Sequence, residues 1–334
     1  MKSKAATYPM LTLFAIPKAF QGHVGIIQRN AILSWLQLRP CPEIILLGDD
    51  EGTAEVAAEL GLKHIPNIAC NEYGTPLMNS MFAVAQAHGT GPLFAYINAD
   101  IILMSDFMQA LQRVPFEQFM LTGQRWNIDV DQALAIDTDW EENLRDRIAH
   151  AGHQEGPQAM DYFVFSRDTY VDVPPFAIGR LCFDNWMLYK ALSLNIPVID
   201  ASEAIAAVHQ NHDYNHQPGG REWIFSGPEA QRNLQLLGGV HHTYFMLDLA
   251  SWQLSTQGLQ RPPFSWQRLE RQLDMLPLAR PQLRTQAALA LRLLRFTQKK
   301  QGQLLSFASK LLGIPARIVS RLRRIGQTKP SSLS

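Results

Sequence analysis

Leu93-Phe94-Ala95-Tyr96-Ile97-Asn98-Ala99-Asp100 is the stretch on which the fold turns. Five consecutive apolar or aromatic residues predict a strand buried on both faces, the habit of parallel sheets covered by helices. The chain then delivers Asn98 and Asp100 into a loop before Ile101-Ile102-Leu103 and Asp106-Phe107.

The same plan repeats upstream. Residues 11–16 form an apolar run that stops at Pro17, and Ile26, Ile27, Ile32, Leu33 and Leu36 have helical spacing up to Pro40. A strand is predicted over 43–47, an acidic turn over 48–52, an Ala-rich helix over 53–60 closed by Gly61, a short strand over 63–65 and a helix over 76–88. Downstream the pattern loosens, with strands predicted at 119–122, 162–165 and 197–200, a helix at 183–194 and a polar loop at 209–220. Strands alternating with helices predict an α/β protein, a doubly wound and mostly parallel sheet flanked by helices.

Composition sets further bounds. The chain has 334 residues, 46% hydrophobic and 18% charged, which suits one large domain with an appendage and excludes wholesale disorder. Its three cysteines, Cys41, Cys70 and Cys182, lack disulfide or zinc spacing and predict a reducing compartment. No signal peptide or membrane-spanning run is read, so a cytoplasmic protein is expected. The formal charge of zero conceals an asymmetry: from residue 261 onward there are 15 Lys or Arg against only Glu270 and Asp274. A domain over 1–250 followed by a basic helical extension over 251–334 is expected. That extension has Leu, Ala and Phe at helical spacing between basic residues. It either packs on the body or lies peripherally on the inner face of an anionic membrane. Nucleic acid is not an expected partner, because the basic residues accompany aliphatic rather than stacking side chains.

In such sheets ligands bind beyond the carboxyl ends of the strands. Pro17-Lys18, Asp49-Asp50 and Asn98-Ala99-Asp100 occupy those positions. A carboxylate at Asp100 can hold Mg²⁺ or Mn²⁺ against the phosphates of a nucleotide, or simply cap the next turn. Arg29 on the first helix and Asn79 on the third are placed to face a donor phosphate or sugar, or to serve as solvated or capping residues. Val208 to His216 is the densest polar patch, with three histidines in eight residues. Trp126, Trp186 and Tyr214 are candidates for stacking on sugar faces, a core role being equally open to Trp186. Glycine-rich phosphate loops and nucleophilic serine or cysteine motifs are missing, which argues against kinase, dehydrogenase and hydrolase chemistry.

Ile16-Pro17-Lys18, then Arg29 to Trp35, then Ile44 to Asp50, then Asn98-Ala99-Asp100, in that order, resemble a GT-A glycosyltransferase similar to family 2, over about residues 9–215. The resemblance implies a nucleotide-sugar donor, a UDP-sugar foremost, and a glycan, lipid-linked or protein acceptor. It implies that Ile16 and Pro17 border the nucleotide and that Asp49 or Asp50 contacts its base. The family's Asp-x-Asp motif falls on Asn98-Ala99-Asp100, so Asp100 becomes the main carboxylate for Mn²⁺ or Mg²⁺ while Asn98 keeps an oxygen for a hydroxyl or water. His209, then His212, is the match for the histidine that completes such a metal site. Residues 161–168 and 179–186 resemble the acceptor side. There Asp184 matches the general base of inverting members, with Asp161 the competing carboxylate. A nucleotidyltransferase and a non-catalytic nucleotide-sugar-binding protein remain as alternatives, the latter suggested by Asn98.

Overall fold

The computed structural model describes residues 10–212 and 220–311. The chain divides into two compact units, Met1–Arg261 and Pro262–Ser334. The first opens with β1 (Leu11–Ala15), α1 (Gly22–Leu36), β2 (Glu43–Leu47), α2 (Thr53–Leu60), β3 (Lys63–Ile65), α3 (Met78–His88) and β4 (Leu93–Ile97). It continues with β5 (Ile101–Ile102), α4 (Ser105–Gln112), β6 (Met120–Thr122), β7 (Arg125–Ile128), α5 (Trp140–Ala151), β8 (His153–Gln154) and β9 (Tyr162–Ser166). It closes with α6 (Phe183–Ser193), β10 (Val198–Asp200), β11 (Ala207–Gln210), α7 (Gly220–Ser226), α8 (Pro228–Leu237), β12 (Trp252–Ser255) and β13 (Gly258–Gln260).

Nine strands form one sheet in the order β13-β12-β10-β6-β9-β4-β1-β2-β3, and β5-β11-β7-β8 form a second. In the large sheet β1 pairs in parallel with β2 and β4, while β9 runs antiparallel to β4 and β6. Every residue of β1, β4 and β9 is buried, as their mostly apolar sequences lead one to expect, and the buried hydroxyls of Thr12 and Ser166 are hydrogen-bonded. The mostly parallel, helix-flanked sheet with a helical C-terminal part that the sequence predicts is the arrangement observed.

Differences from the sequence reading are local and have causes. The third helix starts at Met78 rather than 76, because Pro76 and Leu77 are extended and bridge to Cys70 and Ala177. Residues 252–255 join the large sheet in parallel with β10 and turn back as β13, within the unit that ends at Arg261. Tyr214, the third histidine of the polar patch at 216, and residues 312–334 lie outside the described residues.

α1 has an unusual inner face. Gln28, Asn30 and Ser34 are buried beside Ile27, Ala31 and Trp35, where hydrophobic periodicity alone calls for apolar residues. Each is satisfied. Gln28 accepts from the Lys18 N–H at 2.7 Å and donates to the Lys18 carbonyl at 2.9 Å, fixing the loop after β1. Ser34 Oγ accepts from the Leu103 N–H at 3.1 Å, and Trp35 Nε1 donates to the Ile101 carbonyl at 2.8 Å.

The second unit contains α9 (Trp266–Ala279) and α10 (Arg284–Leu311), which pack on each other. Ser265 caps α9 by accepting from the Arg268 N–H. Arg295 of α10 binds Glu270 at 2.9 Å and reaches Asp274 at 3.5 Å.

Candidate active site

Strand order places the site. From β1 the chain proceeds to β2 and β3 on one side, while β4 lies on the other, so the crevice beyond β1 and β4 is a topological switch point. The loop beginning Ile16-Pro17-Lys18 and the loop Asn98-Ala99-Asp100 both emerge there. Because β9 is antiparallel to β4, with Tyr162 opposite Ile97, its preceding residue Asp161 arrives at the same edge. β11 is antiparallel to β5 with His209 opposite Ile101, which brings His209 alongside Asp100.

Asp100 Oδ2 lies 3.1 Å from His212 Nε2 and 3.5 Å from His209 Nε2. Burial acts to raise the Asp100 pKa, but the two imidazoles overcome it and hold the carboxyl well below the usual carboxylate range. A polar lattice fixes the cluster from beneath. The fully buried Gln210 donates through Nε2 to the carbonyls of Asp100 at 3.0 Å and Ile27 at 2.7 Å, and accepts from Asn30 at 3.0 Å.

These residues fit a divalent cation. Two ligand atoms each about 2.1 Å from a metal and about 90–110° apart are about 3.0–3.4 Å from one another, close to the spacing of this Asp/His set. Ligand atoms of Asp100, His209 and His212 all lie within 4.8 Å of one another. Asp100 Oδ1 is buried with no hydrogen-bond partner among the described residues, which a cation would relieve. His209 Nδ1 is likewise buried and without a hydrogen-bond partner, so the acceptor that usually orients a ligating histidine through its other nitrogen is not among the described residues. A carboxylate with two imidazoles suits Mn²⁺ better than Mg²⁺.

Asn98 belongs to a different chain of contacts. Its Nδ2 donates to Asp161 Oδ1 at 2.6 Å, its Oδ1 accepts from the Tyr96 hydroxyl at 2.9 Å, and Asp161 Oδ2 is paired with Arg125 at 2.6 Å. An aspartate at 98 would set two carboxylates against each other, so the amide suits this neighbour. Asp184 occupies the first turn of α6, one residue beyond Cys182-Phe183; the N-cap itself is Cys182, held at φ 93. That left-handed backbone costs a non-glycine residue about 1–3 kcal/mol. Phe183 packs edge-on against Tyr96 and Phe163, which sets the helix start beside β4 and β9. Burial pushes the Asp184 carboxyl up to about 6, the Asn185 N–H at 2.8 Å opposes this, and Asp161 adds to it.

The remaining sequence candidates distribute as follows. Asp49 and Asp50 are exposed just beyond β2, and desolvation followed by Asp49 raises the Asp50 pKa. Ile16 is partly buried and Pro17 buried in the loop that Gln28 clamps. Asn79 is exposed in the first turn of α3. Arg29 is held elsewhere, in a two-pronged exposed ion pair with Glu59. Trp186 is buried against Tyr170 and Phe176 and so packs the core, while Trp126 is partly buried against the small sheet's cluster. A cavity of about 620 Å³ lined by Gln21, His23, Val24, Asn211 and His212 adjoins the cluster.

Arg125, Gln28, Asn30 and Gln210 are the residues whose part the sequence did not single out, and Lys18 was placed beyond the first strand without a role. Desolvation lowers the pKa of the Lys18 ammonium against the pull of Asp100; Arg180 lowers it further and Asp50 raises it. Lys18 thus shares the electrostatic field of the cluster. Its position after an apolar strand was the one available signal.

No protein-family model matches the sequence, and a search of curated proteins finds no match. Among solved structures the chain is similar to mannosyltransferase PcManGT from Pyrobaculum calidifontis in complex with GDP-Man and Mn²⁺. That match has 16% identity and a TM-score of 0.43 and covers 92% of this chain and 88% of the other. It is also similar to GalNAc-T7 with UDP, GalNAc and Mn²⁺, at 11% identity and a TM-score of 0.43, over 69% of this chain. This chain spans only 48% of the length of GalNAc-T7. A third match, glucosyl-3-phosphoglycerate synthase of M. tuberculosis, has 12% identity and a TM-score of 0.39, covering 69% and 80% of the two chains.

Proposed function

We propose that the protein transfers a glycosyl group from a nucleoside-diphosphate sugar to an acceptor hydroxyl, with Asp100, His209 and His212 holding a divalent cation. The observation that carries this reading is the convergence of one carboxylate and two imidazoles at the switch point of the sheet, with Oδ2 to Nε2 separations of 3.1 and 3.5 Å. Mn²⁺ or Mg²⁺, when bound, neutralises charge that develops on a departing diphosphate.

The chain's own residues supply the rest. Lys18 adds positive charge on the diphosphate side. Asp49 or Asp50, at the end of β2, contacts the base of a uridine nucleotide. Asp161, oriented by Arg125 and Asn98, accepts from a sugar hydroxyl. Asp184 acts as general base: it takes the proton of the acceptor hydroxyl as that oxygen bonds to the anomeric carbon and the carbon–diphosphate bond breaks, inverting the centre. A pKa near 6 suits that task, because the group is ionised at neutral pH yet basic enough to accept a proton. The acceptor is a hydroxyl of a glycan, a lipid-linked sugar or a protein.

The test is release of nucleoside diphosphate from each common nucleotide sugar in the presence of Mn²⁺. One donor, a UDP-sugar by expectation, is hydrolysed slowly without acceptor, and Asp100→Ala lowers the rate at least about 10³-fold. A protein that hydrolyses and binds no nucleotide sugar would overturn the proposal; one that binds a donor but never hydrolyses or transfers it is a binding protein.

A further inference from the structure

The second unit carries an apolar face that its own packing does not use. Ala287 and Leu294, seven residues apart on α10, are buried, as is Met275 of α9. Leu289, Leu293 and Phe296, at i, i+4 and i+7, form a different stripe, with 60%, 58% and 56% of their surfaces exposed. Three large apolar side chains at that spacing on one helix face are expensive to leave in water.

Charge identifies what covers them. The sequence from residue 261 onward has 15 basic residues and two acidic ones, and both acids, Glu270 and Asp274, are taken up by Arg295 within the helix pair. Arg292 is exposed within the stretch that bears the stripe, and Lys299 and Lys300 follow it in sequence. A second copy of the same unit would bring like charge. So would the chain's own ends, since residues 1–9 and 312–334 contain no Asp or Glu. A nucleic acid would meet leucines rather than a row of stacking aromatics. Among the described residues no helix is long and apolar enough to cross a membrane, so a helix of this kind lies in the plane of the lipid headgroups.

We infer that the α10 face bearing Leu289, Leu293 and Phe296 is a docking surface for an anionic lipid bilayer. It does not depend on the reading of the Asp100 cluster. Apolar side chains enter the headgroup boundary while the flanking basic residues meet acidic lipids, each contributing about fivefold to partitioning near the surface.

The experiment is co-sedimentation of the full-length protein with phosphatidylcholine vesicles that contain or lack phosphatidylglycerol, at low and high salt. Binding is expected only with the anionic lipid and is expected to fall with salt. Leu293→Ser combined with Phe296→Ser should weaken it at least about tenfold and Arg292→Gln about fivefold. Unchanged thermal melting and metal binding would show that the variants fold. Failure to bind anionic vesicles, or binding that the double variant retains in full, would overturn the proposal. It would equally be overturned if the double substitution instead dissolved a dimer or abolished binding to nucleic acid.

Discussion

At the carboxyl end of β4, Asp100 faces two imidazoles through one oxygen, whereas at the start of α6 Asp184 has backbone N–H groups and a second carboxylate in its field. The same side chain is driven in opposite directions, because at Asp184 burial prevails over the N–H groups while at Asp100 the imidazoles prevail over burial. Asp100 is held ionised far below neutral pH, and Asp184 is pushed up to about 6. A carboxylate that stays ionised around neutral pH is suited to holding a cation, while one that gains and loses a proton near neutrality is suited to acid–base work. Both carboxyls are buried, and burial raises each: at Asp100 the imidazoles, His209 brought by antiparallel β11, outweigh it, whereas at Asp184 burial dominates and Asp161, arriving on antiparallel β9, adds to it.

The largest effect that would sharpen this contrast is in turnover. Asp184→Asn is expected to lower kcat for transfer by about 10²–10⁴-fold, with Mn²⁺ affinity unchanged. Because the folded-state pKa of Asp184 is raised, its protonated form is the stabilising one. That contribution is present below the unfolded value and lost as pH rises through about 6, so the asparagine variant should be no less stable at pH 8. Equal loss of metal binding in this variant would erase the distinction between the two carboxylates.

A second test is the pH profile of kcat at saturating Mn²⁺. The basic form of Asp184 accumulates above about 6, so the rate should rise through that pH and level off, and the limb should vanish from the residual activity of Asp184→Asn. A flat wild-type profile between pH 5 and 8 would assign the base elsewhere.

A smaller effect is expected from the scaffold. Gln210→Ala leaves the Asn30 amide and the carbonyls of Asp100 and Ile27 short of a partner. Stability should fall by about 1–3 kcal/mol and Mn²⁺ affinity by about tenfold, read by thermal melting and by titration. Unaltered affinity would mean that the lattice supports the fold without positioning Asp100.

Much of the first half was legible because β1, β2 and β4 are largely apolar runs that stop at Pro17, Gly48 and Asn98, so both the strand and the loop beyond it could be located. Asp100 could be located by the apolar strand that ends just before it, whereas the roles expected of Asp161, Asp184, His209 and His212 came only with the resemblance to GT-A glycosyltransferases. The small sheet was not legible. Its strands are two to four residues long, and β7 has Arg125 and Asn127 where an apolar pattern would be sought. α5 and α8 were overlooked despite available signals: Trp140, Leu144 and Ile148 at four-residue spacing, and Pro228 opening a helix that ends at left-handed Gly238. Gln28, Asn30 and Gln210 were out of reach for a different reason. A buried amide is recognised only through partners far away in sequence, such as the contact between Asn30 and Gln210.

Direct titration of Mn²⁺, followed by electron paramagnetic resonance in wild type and Asp100→Ala, tests the central claim most closely. Wild type is expected to take up one ion per chain, with affinity rising when a uridine diphosphate sugar is added, and Asp100→Ala to lose at least about 10²-fold in affinity. Stoichiometric Mn²⁺ binding that survives the substitution intact, or no binding by wild type with any nucleotide sugar present, would contradict the account.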